Sequence, residues 1–380
     1  MRIAHVITGL EMGGAEQMLY KLLATLDRAA FEPLVISLIE PGPMRAPIAA
    51  LGVRIETLGM RRGLPSPGAL LRLVGLLRAF RPDLIQTWMY HADLLGALAR
   101  PLVGTRPGLI WNIRQSDLDP RHTRLGPRLV ARLNGLVSYL APDRIICCSQ
   151  RAAAVHRALG YRARLFEVIP NGFDLERFHP DDAARAQLRA ELGVPAAAPL
   201  LGLAGRFDPQ KDLPTFLQAA ALVRAARPES RFLLSGPGME RANPQLAGWM
   251  ADAGLAGAID LLGPRTDMPR VFAALDLLVL SSAYGEGFPN VVGEAMACGV
   301  PCAVTDVGDS GLIVGETGAI VAPRDPTALA AAILRLLAED PPGRARRGVA
   351  ARERIAAHYS LARIVARYAD LYQSMQRGTH

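Results

Sequence analysis

The sequence predicts an α/β protein built from two Rossmann-like domains. Three observations support this: the chain has 380 residues, short apolar runs alternate with amphipathic helical stretches, and the alternation restarts near the middle. Single hydrophobic cores stop growing at about 250–300 residues, so this length favours two domains. Alternating strands and helices are typical of βαβ units and parallel sheets.

The first half opens with a predicted strand, a glycine-containing loop and a helix. The strand covers 2–7 and the loop covers 8–16. Leucines then recur at helical spacing, at Leu19, Leu22, Leu23 and Leu26. Further strands are predicted, with helices between them, at 33–39, 84–87, 109–113, 144–148 and 167–169.

The second half begins at Pro199, where the apolar run LLGLAG leads into a loop at 205–211 and a helix from Leu213. From Ala328 the pattern is helical to the end, and the last helix is expected to pack on the first domain. We therefore predict one domain of 1–170 joined by 361–380, and a second of 171–360. The further strands of the second domain are predicted at 231–235, 259–262, 277–280 and 301–305.

Composition excludes several classes of protein. Half of the residues are hydrophobic and 21% are charged, which excludes a disordered chain. We find no signal-peptide pattern and no run of about 18 apolar residues that would span a membrane. The four cysteines lack metal-ligand or disulfide-framework spacing, so we expect buried, reduced thiols. These features predict a cytoplasmic enzyme.

The basic charge is concentrated in the first half. Residues 1–170 carry 22 Lys and Arg against 12 Asp and Glu, whereas residues 171–380 carry 21 against 23. The asymmetry predicts an anionic partner for the first domain. A compositional preference for arginine is the alternative, since only Lys21 and Lys211 are lysines.

Two loops of the second half follow predicted strands, where open α/β sheets bind ligands. In 205–211, Arg206 and Lys211 are placed to grip two phosphates of a diphosphate, although a solvated loop pair is the alternative. In 284–294, Glu286 and Glu294 are candidates to accept hydrogen bonds from sugar or ribose hydroxyls. Glu294 would otherwise only complement the helix dipole.

A helix start is predicted inside the second loop. Pro289 suits a first helical turn, so the preceding backbone would point free amides at an anion or at sugar oxygens. The residues of this predicted anion-binding segment are Gly287, Phe288, Pro289 and Asn290.

These segments resemble family 4 of the retaining GT-B glycosyltransferases. The E-x7-E signature of that family is matched by Glu286 and Glu294 in EGFPNVVGE. The resemblance implies two Rossmann-like domains facing across a cleft, the first for the acceptor and the second for the nucleotide sugar. Four further segments are similar in the expected order: GGAE at 13–16, VIPNGFDLERF at 168–178, GRFDPQKD at 205–212 and EAMACGVPCAVTDVG at 294–308.

The resemblance also implies roles for residues. Arg206 and Lys211 would bind the donor diphosphate, Glu294 the nucleotide ribose and Glu286 the transferred sugar. Of these, Glu286, Arg206 and Lys211 are the candidate catalytic residues. Transfer would proceed on the front face with retention, the acceptor proton passing to a phosphate oxygen. Neither a metal nor another cofactor is expected.

The first domain contributes weaker candidates. Gly13 and Gly14 match the family's glycine-rich loop near the donor phosphates and the acceptor. Arg114 stands where the family often has a histidine, and an arginine there would donate hydrogen bonds or bind an anion. His91 resembles another family position, with a structural histidine as the alternative. The D-x-D spacing at 117–119 lies in the basic half, away from the inferred donor site.

Rival functions and the acceptor stay open. A nucleotide-sugar epimerase of the same fold is the nearest rival, and a non-catalytic two-lobed sugar-binding protein is another. A dehydrogenase is disfavoured because no G-x-G-x-x-G follows an early strand. The sequence does not separate UDP from GDP donors, and no nucleic-acid partner is expected.

Two basic, leucine-rich segments, 61–81 and 121–137, bear on the acceptor. They would lie against an anionic membrane or, as amphipathic helices ordinarily do, pack their leucines into the core. Membrane contact would suit a polyprenyl-diphosphate-linked sugar acceptor in capsule, exopolysaccharide or lipopolysaccharide assembly. The enzyme would then lie peripherally at the inner face of the plasma membrane.

Overall fold

The computed structural model describes residues 1–40, 42–60 and 66–377. The chain divides into unit 1, Met1–Gly172 with the residues from Leu361 onward, and unit 2, Phe173–Ser360. Each unit is a parallel sheet with apolar clusters on both faces. The prediction of two Rossmann-like α/β folds is confirmed.

Unit 1 contains a seven-stranded sheet in the order β3-β2-β1-β4-β5-β6-β7. The chain winds outward from β1 in one direction and from β4 in the other, so the order reverses between these two strands. The elements are β1 Arg2–Ile7, α1 Gly14–Thr25, β2 Glu32–Ile39, α2 Arg45–Ala50, β3 Arg54–Met60, α3 Pro67–Phe80, β4 Leu84–Trp88, α4 Tyr90–Val103, β5 Gly108–Ile113, α5 Leu125–Val137, β6 Arg144–Cys147, α6 Gln150–Ala158 and β7 Phe166–Val168.

Unit 2 contains a six-stranded sheet in the order β10-β9-β8-β11-β12-β13, which reverses between β8 and β11. Its strands are β8 Leu200–Ala204, β9 Arg231–Ser235, β10 Ile259–Gly263, β11 Leu277–Leu280, β12 Cys302–Thr305 and β13 Ala319–Val321. Its helices are α7 Asp182–Glu191, α8 Leu213–Ala226, α9 Pro244–Asp252, α10 Met268–Ala274, α11 Asn290–Ala297, α12 Ser310–Val314, α13 Pro326–Leu337 and α14 Pro341–Tyr359.

The last helix, α15 (Leu361–Arg377), belongs to unit 1. Its fully buried Tyr372 donates a hydrogen bond to the Gln86 side chain on β4, and Asn112 on β5 donates to Tyr368 at 3.2 Å. Buried polar groups must find partners, so these bonds fix the helix against the sheet.

The central strands were predicted within one or two residues, whereas two edge strands were missed. β4 and β5 are buried along their whole length, as expected for parallel strands covered on both faces. β3 is only partly buried and β13 has three residues, so neither presents a clear apolar run.

No helix in the described ranges is both long and apolar enough to cross a membrane. The four cysteines are free and buried, as predicted. Burial raises the pKa of Cys298 to about 12, so this thiol stays protonated.

Candidate functional site

The candidate site of unit 2 lies at the carboxyl edge of its sheet, where β8 and β11 are neighbours. The Lys211 ammonium donates a 2.6 Å hydrogen bond to Glu286 Oε1, which also accepts one of 2.6 Å from the Ser282 hydroxyl. The Lys211 and Glu286 side chains are only 14% and 9% exposed. The loops predicted at 205–211 and 284–294 therefore meet in a buried ion pair.

Hydrogen bonds join the same two loops elsewhere. The Ser281 hydroxyl donates to the Lys211 carbonyl at 2.6 Å, and the Ala283 amide donates to the Gln210 carbonyl at 2.9 Å. Thr305, at the end of β12, donates to the Ser282 carbonyl at 2.7 Å. These contacts hold the ion pair in place, which is the preorganisation that electrostatic stabilisation requires.

Gly308 is required for the close approach of the loop after β12. Its φ is +65°, in the left-handed region, and an added Cβ would lie 2.2 Å from the Glu286 carbonyl oxygen. The adjacent Asp309 amide donates to the Gly287 carbonyl at 3.0 Å. A side chain at position 308 would therefore push the Glu286 backbone away.

Arg206 and Lys211 differ in how they are held. Arg206 is exposed and makes no hydrogen bond or ion pair to the described residues. Lys211 ends a short 3₁₀ turn, Pro209–Lys211, and its ammonium is held by the ion pair with Glu286. An ammonium has three donors, which leaves Lys211 capacity for an anion beside Glu286.

The helix start predicted at Pro289 is present, with one difference. Pro289 is the N-cap of α11, and its own side chain makes no capping hydrogen bond. The ring of Phe288 is buried, 6.1 Å from the ring of Phe173 and 5.3 Å from that of Tyr359. Only its backbone is therefore available to a ligand. Asn290 and Glu294, on α11, are half-buried.

In unit 1, the glycine-rich loop precedes α1. Gly13 is the N-cap of α1, and an added Cβ there would lie 2.4 Å from a carboxylate oxygen of Glu16, whereas Gly14 faces open space. Burial raises the pKa of Glu16, while its own backbone amide and the Arg114 charge act in the opposite direction. Gly13 therefore leaves room for the Glu16 carboxylate over the helix start.

Arg114 follows β5 and is partly buried. It donates a hydrogen bond to the Asn171 side chain, and its guanidinium carbon lies 5.9 Å from the Trp88 ring centroid. His91, in the first turn of α4, is half-buried, and this burial lowers its pKa. The ring is consequently neutral near pH 7.

The D-x-D segment forms local ion pairs. Asp117 contacts His122 at 2.9 Å, and Asp119 contacts Arg121 at 2.6 Å. Hydrogen bonds from Arg121 lower the pKa of Asp119. Over the described ranges, no group of three or more His, Cys, Asp or Glu side chains is arranged to hold a metal ion. Metal independence stays a prediction.

Sequence reasoning missed Ser282, Thr305 and Asp309. Two adjacent serines, Ser281 and Ser282, directly follow the apolar strand β11. Hydroxyl side chains at the carboxyl end of a parallel strand were the available signal. The contacts themselves depend on loops from three strands and were not readable from spacing.

Models of two families match the chain: "Glycosyltransferase Family 4" over residues 12–177 and "Glycosyl transferases group 1" over residues 198–339. The lipopolysaccharide core biosynthesis mannosyltransferase of Rhizobium meliloti is 30% identical over 344 residues, 86% of this chain and 91% of that protein. The UDP-Gal:alpha-D-GlcNAc-diphosphoundecaprenol alpha-1,3-galactosyltransferase of Escherichia coli is 28% identical over 249 residues. That second match spans 65% of this chain and 63% of the relative.

Among solved structures, Anabaena HepE in complex with UDP is similar with a TM-score of 0.86 and 24% identity. The match covers 98% of this chain and all of HepE, and it confirms the predicted GT-B fold. The chain therefore belongs to glycosyltransferase family 4, as its motifs predicted, and is a glycosyltransferase that uses a nucleotide sugar.

Proposed function

We propose that the protein transfers a sugar, with retention of anomeric configuration, from a UDP- or GDP-sugar to a lipid-linked glycan. The product would enter capsule, exopolysaccharide or lipopolysaccharide assembly. One arrangement carries the proposal: the buried Lys211–Glu286 pair at the carboxyl edge of β8 and β11. It places a cation and a hydrogen-bond acceptor together where open α/β sheets bind nucleotides.

Each site residue has a task in this reaction. Lys211 and the exposed Arg206 bind the diphosphate and neutralise its growing charge as the bond to the anomeric carbon breaks. Within the described part of the chain, Lys211 and Ser282 both donate to Oε1 of Glu286, so we assign Oε2 to a sugar hydroxyl. Glu294 binds the ribose, and the backbone of 287–290 faces the sugar diphosphate.

The acceptor hydroxyl forms its bond to the anomeric carbon on the face from which the diphosphate departs. Its proton passes to a phosphate oxygen of the leaving diphosphate. The protein contributes position and charge stabilisation, because Glu286 is already tied to Lys211 and Ser282 rather than aimed as a nucleophile. Gly13 and Gly14 are assigned to the donor phosphates and the neighbouring acceptor, His91 and Arg114 to the acceptor or sugar, and no metal takes part.

The relatives support a lipid-linked acceptor. One is named for lipopolysaccharide core biosynthesis and the other for a diphosphoundecaprenol-linked acceptor. Enzymes that use such acceptors work at a membrane surface, so we place this protein peripherally at the inner face of the plasma membrane.

Calorimetric titration with UDP, GDP and ADP, in the presence of EDTA, tests the donor site. We expect one nucleoside diphosphate to bind wild type and Arg206→Ala to bind it about 10- to 150-fold more weakly, since a charge-assisted hydrogen bond contributes about 1.5–3 kcal/mol. Arg335→Ala, which removes an exposed arginine from α13, is the matched control and should bind normally. Absence of binding by wild type would overturn the donor site.

Sugar-transfer assays test the role of Lys211, the stereochemistry of transfer and the acceptor class. Lys211→Ala should lower kcat by about 10²–10³-fold, the loss typical of removing one stabilising donor of an oxyanion. Circular dichroism must first show that this variant folds, since it leaves Glu286 buried without its cation.

Nuclear magnetic resonance of the product reports the configuration at the anomeric carbon. Inversion would refute the retaining mechanism, and turnover of soluble acceptors alone would refute the lipid-linked one.

A further inference from the structure

Helix α5 turns its large apolar side chains away from unit 1. Five leucines, spaced by four, four, three and four residues, lie on one side of the helix and the turn that follows it. We call these the α5 leucine face: Leu125, Leu129, Leu133, Leu136 and Leu140, which are 64%, 54%, 45%, 73% and 91% exposed.

The buried side of α5 is built from smaller or polar residues. Val130, Ala131, Asn134 and Gly135 are buried, and the Asn134 amide donates to the Tyr90 carbonyl at 2.9 Å. The helix is therefore amphipathic with its apolar side outward. A contiguous apolar surface of this kind marks an interaction site rather than the scattered exposure that is normal for soluble proteins.

The surroundings of the α5 leucine face are basic. The chain has no Asp or Glu between Asp119 and Asp143, whereas arginines occur at 121, 124, 128 and 132. Arg121 pairs with Asp119. Arg124, Arg128 and Arg132 make no ion pair within the described part of the chain. These three guanidinium groups can therefore pair with anionic groups of a binding partner.

We propose that α5 docks on an anionic lipid bilayer, lying in the plane of the interface. The leucines enter the boundary between headgroups and acyl chains, and the arginines contact lipid phosphates from the flank of the helix. Tyr139, which is 55% exposed, adds an aromatic side chain suited to the headgroup level.

A second copy of the chain fits this surface less well. Self-association through the α5 leucine face would bring the arginines of two chains together in a region without acidic residues. Like charges brought together disfavour such a contact. An anionic bilayer offers both an apolar layer and the opposite charge.

The docking surface deepens the proposed function, because a lipid-linked acceptor would be reached from this membrane. The observations on α5 do not themselves depend on the proposed function. Vesicle binding and nucleotide binding are therefore measured separately. Nucleotide binding without vesicle binding would overturn the docking surface alone, and the reverse result would overturn the donor site alone.

Sedimentation with phosphatidylcholine vesicles, with or without 30% phosphatidylglycerol, is the first test. Wild type should bind only the anionic vesicles, and the triple variant Leu129→Ser, Leu133→Ser, Leu136→Ser should bind at least tenfold more weakly. The control is Leu71→Ser on α3, which removes a leucine of similar exposure, 69%, and should bind as wild type does. Equal binding by the triple variant would overturn the proposal.

A fluorescent label tests which surface meets the lipid. Because all four native cysteines are buried, a thiol-reactive dye should label Leu136→Cys or Leu71→Cys selectively. We expect a blue shift on anionic vesicles for the label at position 136 and none at 71. Analytical ultracentrifugation checks the alternative partner. A wild-type dimer that the triple serine variant abolishes, together with an unshifted dye, would assign the surface to a second copy instead.

Discussion

Helices α3 and α5 of unit 1 have similar composition but opposite burial. Both are rich in leucine and arginine, and both repeat apolar residues at helical spacing. In α3 the repeat faces inward, with Leu73 and Leu77 fully buried, whereas in α5 the leucines at corresponding spacing are exposed. Periodicity therefore identifies an apolar side of a helix without saying whether protein or another phase covers it.

The residues on the side of α5 opposite its leucines explain why the leucines of α5 are exposed. In α5, Gly135 lets the helix approach the neighbouring chain, since an added Cβ would lie 3.3 Å from the Leu159 carbonyl oxygen and 3.4 Å from the Tyr161 ring. Buried Asn134 anchors the same side to Tyr90. For α3 the ordinary interpretation of packed leucines holds for Leu73 and Leu77, which are fully buried, whereas Leu71 is 69% exposed. Residues 61–65 of segment 61–81 lie outside the described residues.

The largest expected contrast is in folding stability. Leu77→Ala in α3 should lower the free energy of unfolding by about 2–5 kcal/mol, because it removes a buried side chain and leaves a cavity. Leu136→Ala in α5 should change it by less than about 0.5 kcal/mol, as expected of a surface position. Urea denaturation of both variants gives these values. Equal losses would show that α5 is packed in solution and that the contrast is wrong.

Acid should also lower the folding stability of unit 1 near α5. Tyr90, which accepts the Asn134 hydrogen bond, contacts His156 through its hydroxyl at 2.7 Å. Burial lowers the pKa of His156 to about 4, from 6.5 in the unfolded chain. Between pH 7 and pH 4 the unfolded state therefore binds more protons at His156 than the folded state does. The free energy of unfolding consequently falls as the pH drops through this range.

The expected loss attributable to His156 is about 2 kcal/mol between pH 7.5 and pH 5. His156→Gln keeps hydrogen-bonding capacity but cannot titrate, so its stability should depend less steeply on pH. Urea denaturation across this range provides the comparison, and Leu71→Ser, on α3, should retain the wild-type slope. Parallel pH profiles for wild type and His156→Gln would remove His156 from the explanation.

The central strands were predictable because a parallel strand buried on both faces is an uninterrupted apolar run. β9 and β11 were predicted at their observed bounds. Edge strands such as β3 bury less and carry polar residues, so local pattern did not distinguish them from loops. The last helix was predicted at 361–380, and α15 begins at Leu361, directly after Ser360.

The candidate donor site was predictable as a set of segments but not as a set of contacts. Spacing and resemblance pointed to Glu286 and Lys211, which the structure joins. Nothing local indicated that Ser282 would share the Glu286 carboxylate, or that the Phe288 ring would turn to Phe173, more than 100 positions earlier in the chain. The roles of Lys211 and Glu286 in the reaction stay predictions, as do those of Arg206, Glu294, His91 and Arg114.

The smallest expected effect separates charge from apolar area on α5. Replacing Arg128 or Arg132 by Gln should weaken binding to anionic vesicles by about 1 kcal/mol each, roughly fivefold, because each arginine near an anionic surface contributes about that much. The loss should shrink as salt rises, since screening weakens the same attraction in wild type. Arg132→Lys keeps the charge and is expected to bind nearly as wild type does. If both glutamine variants retained full affinity at low salt, the leucines alone would account for docking, and α5 would differ from α3 only in which way its apolar side faces.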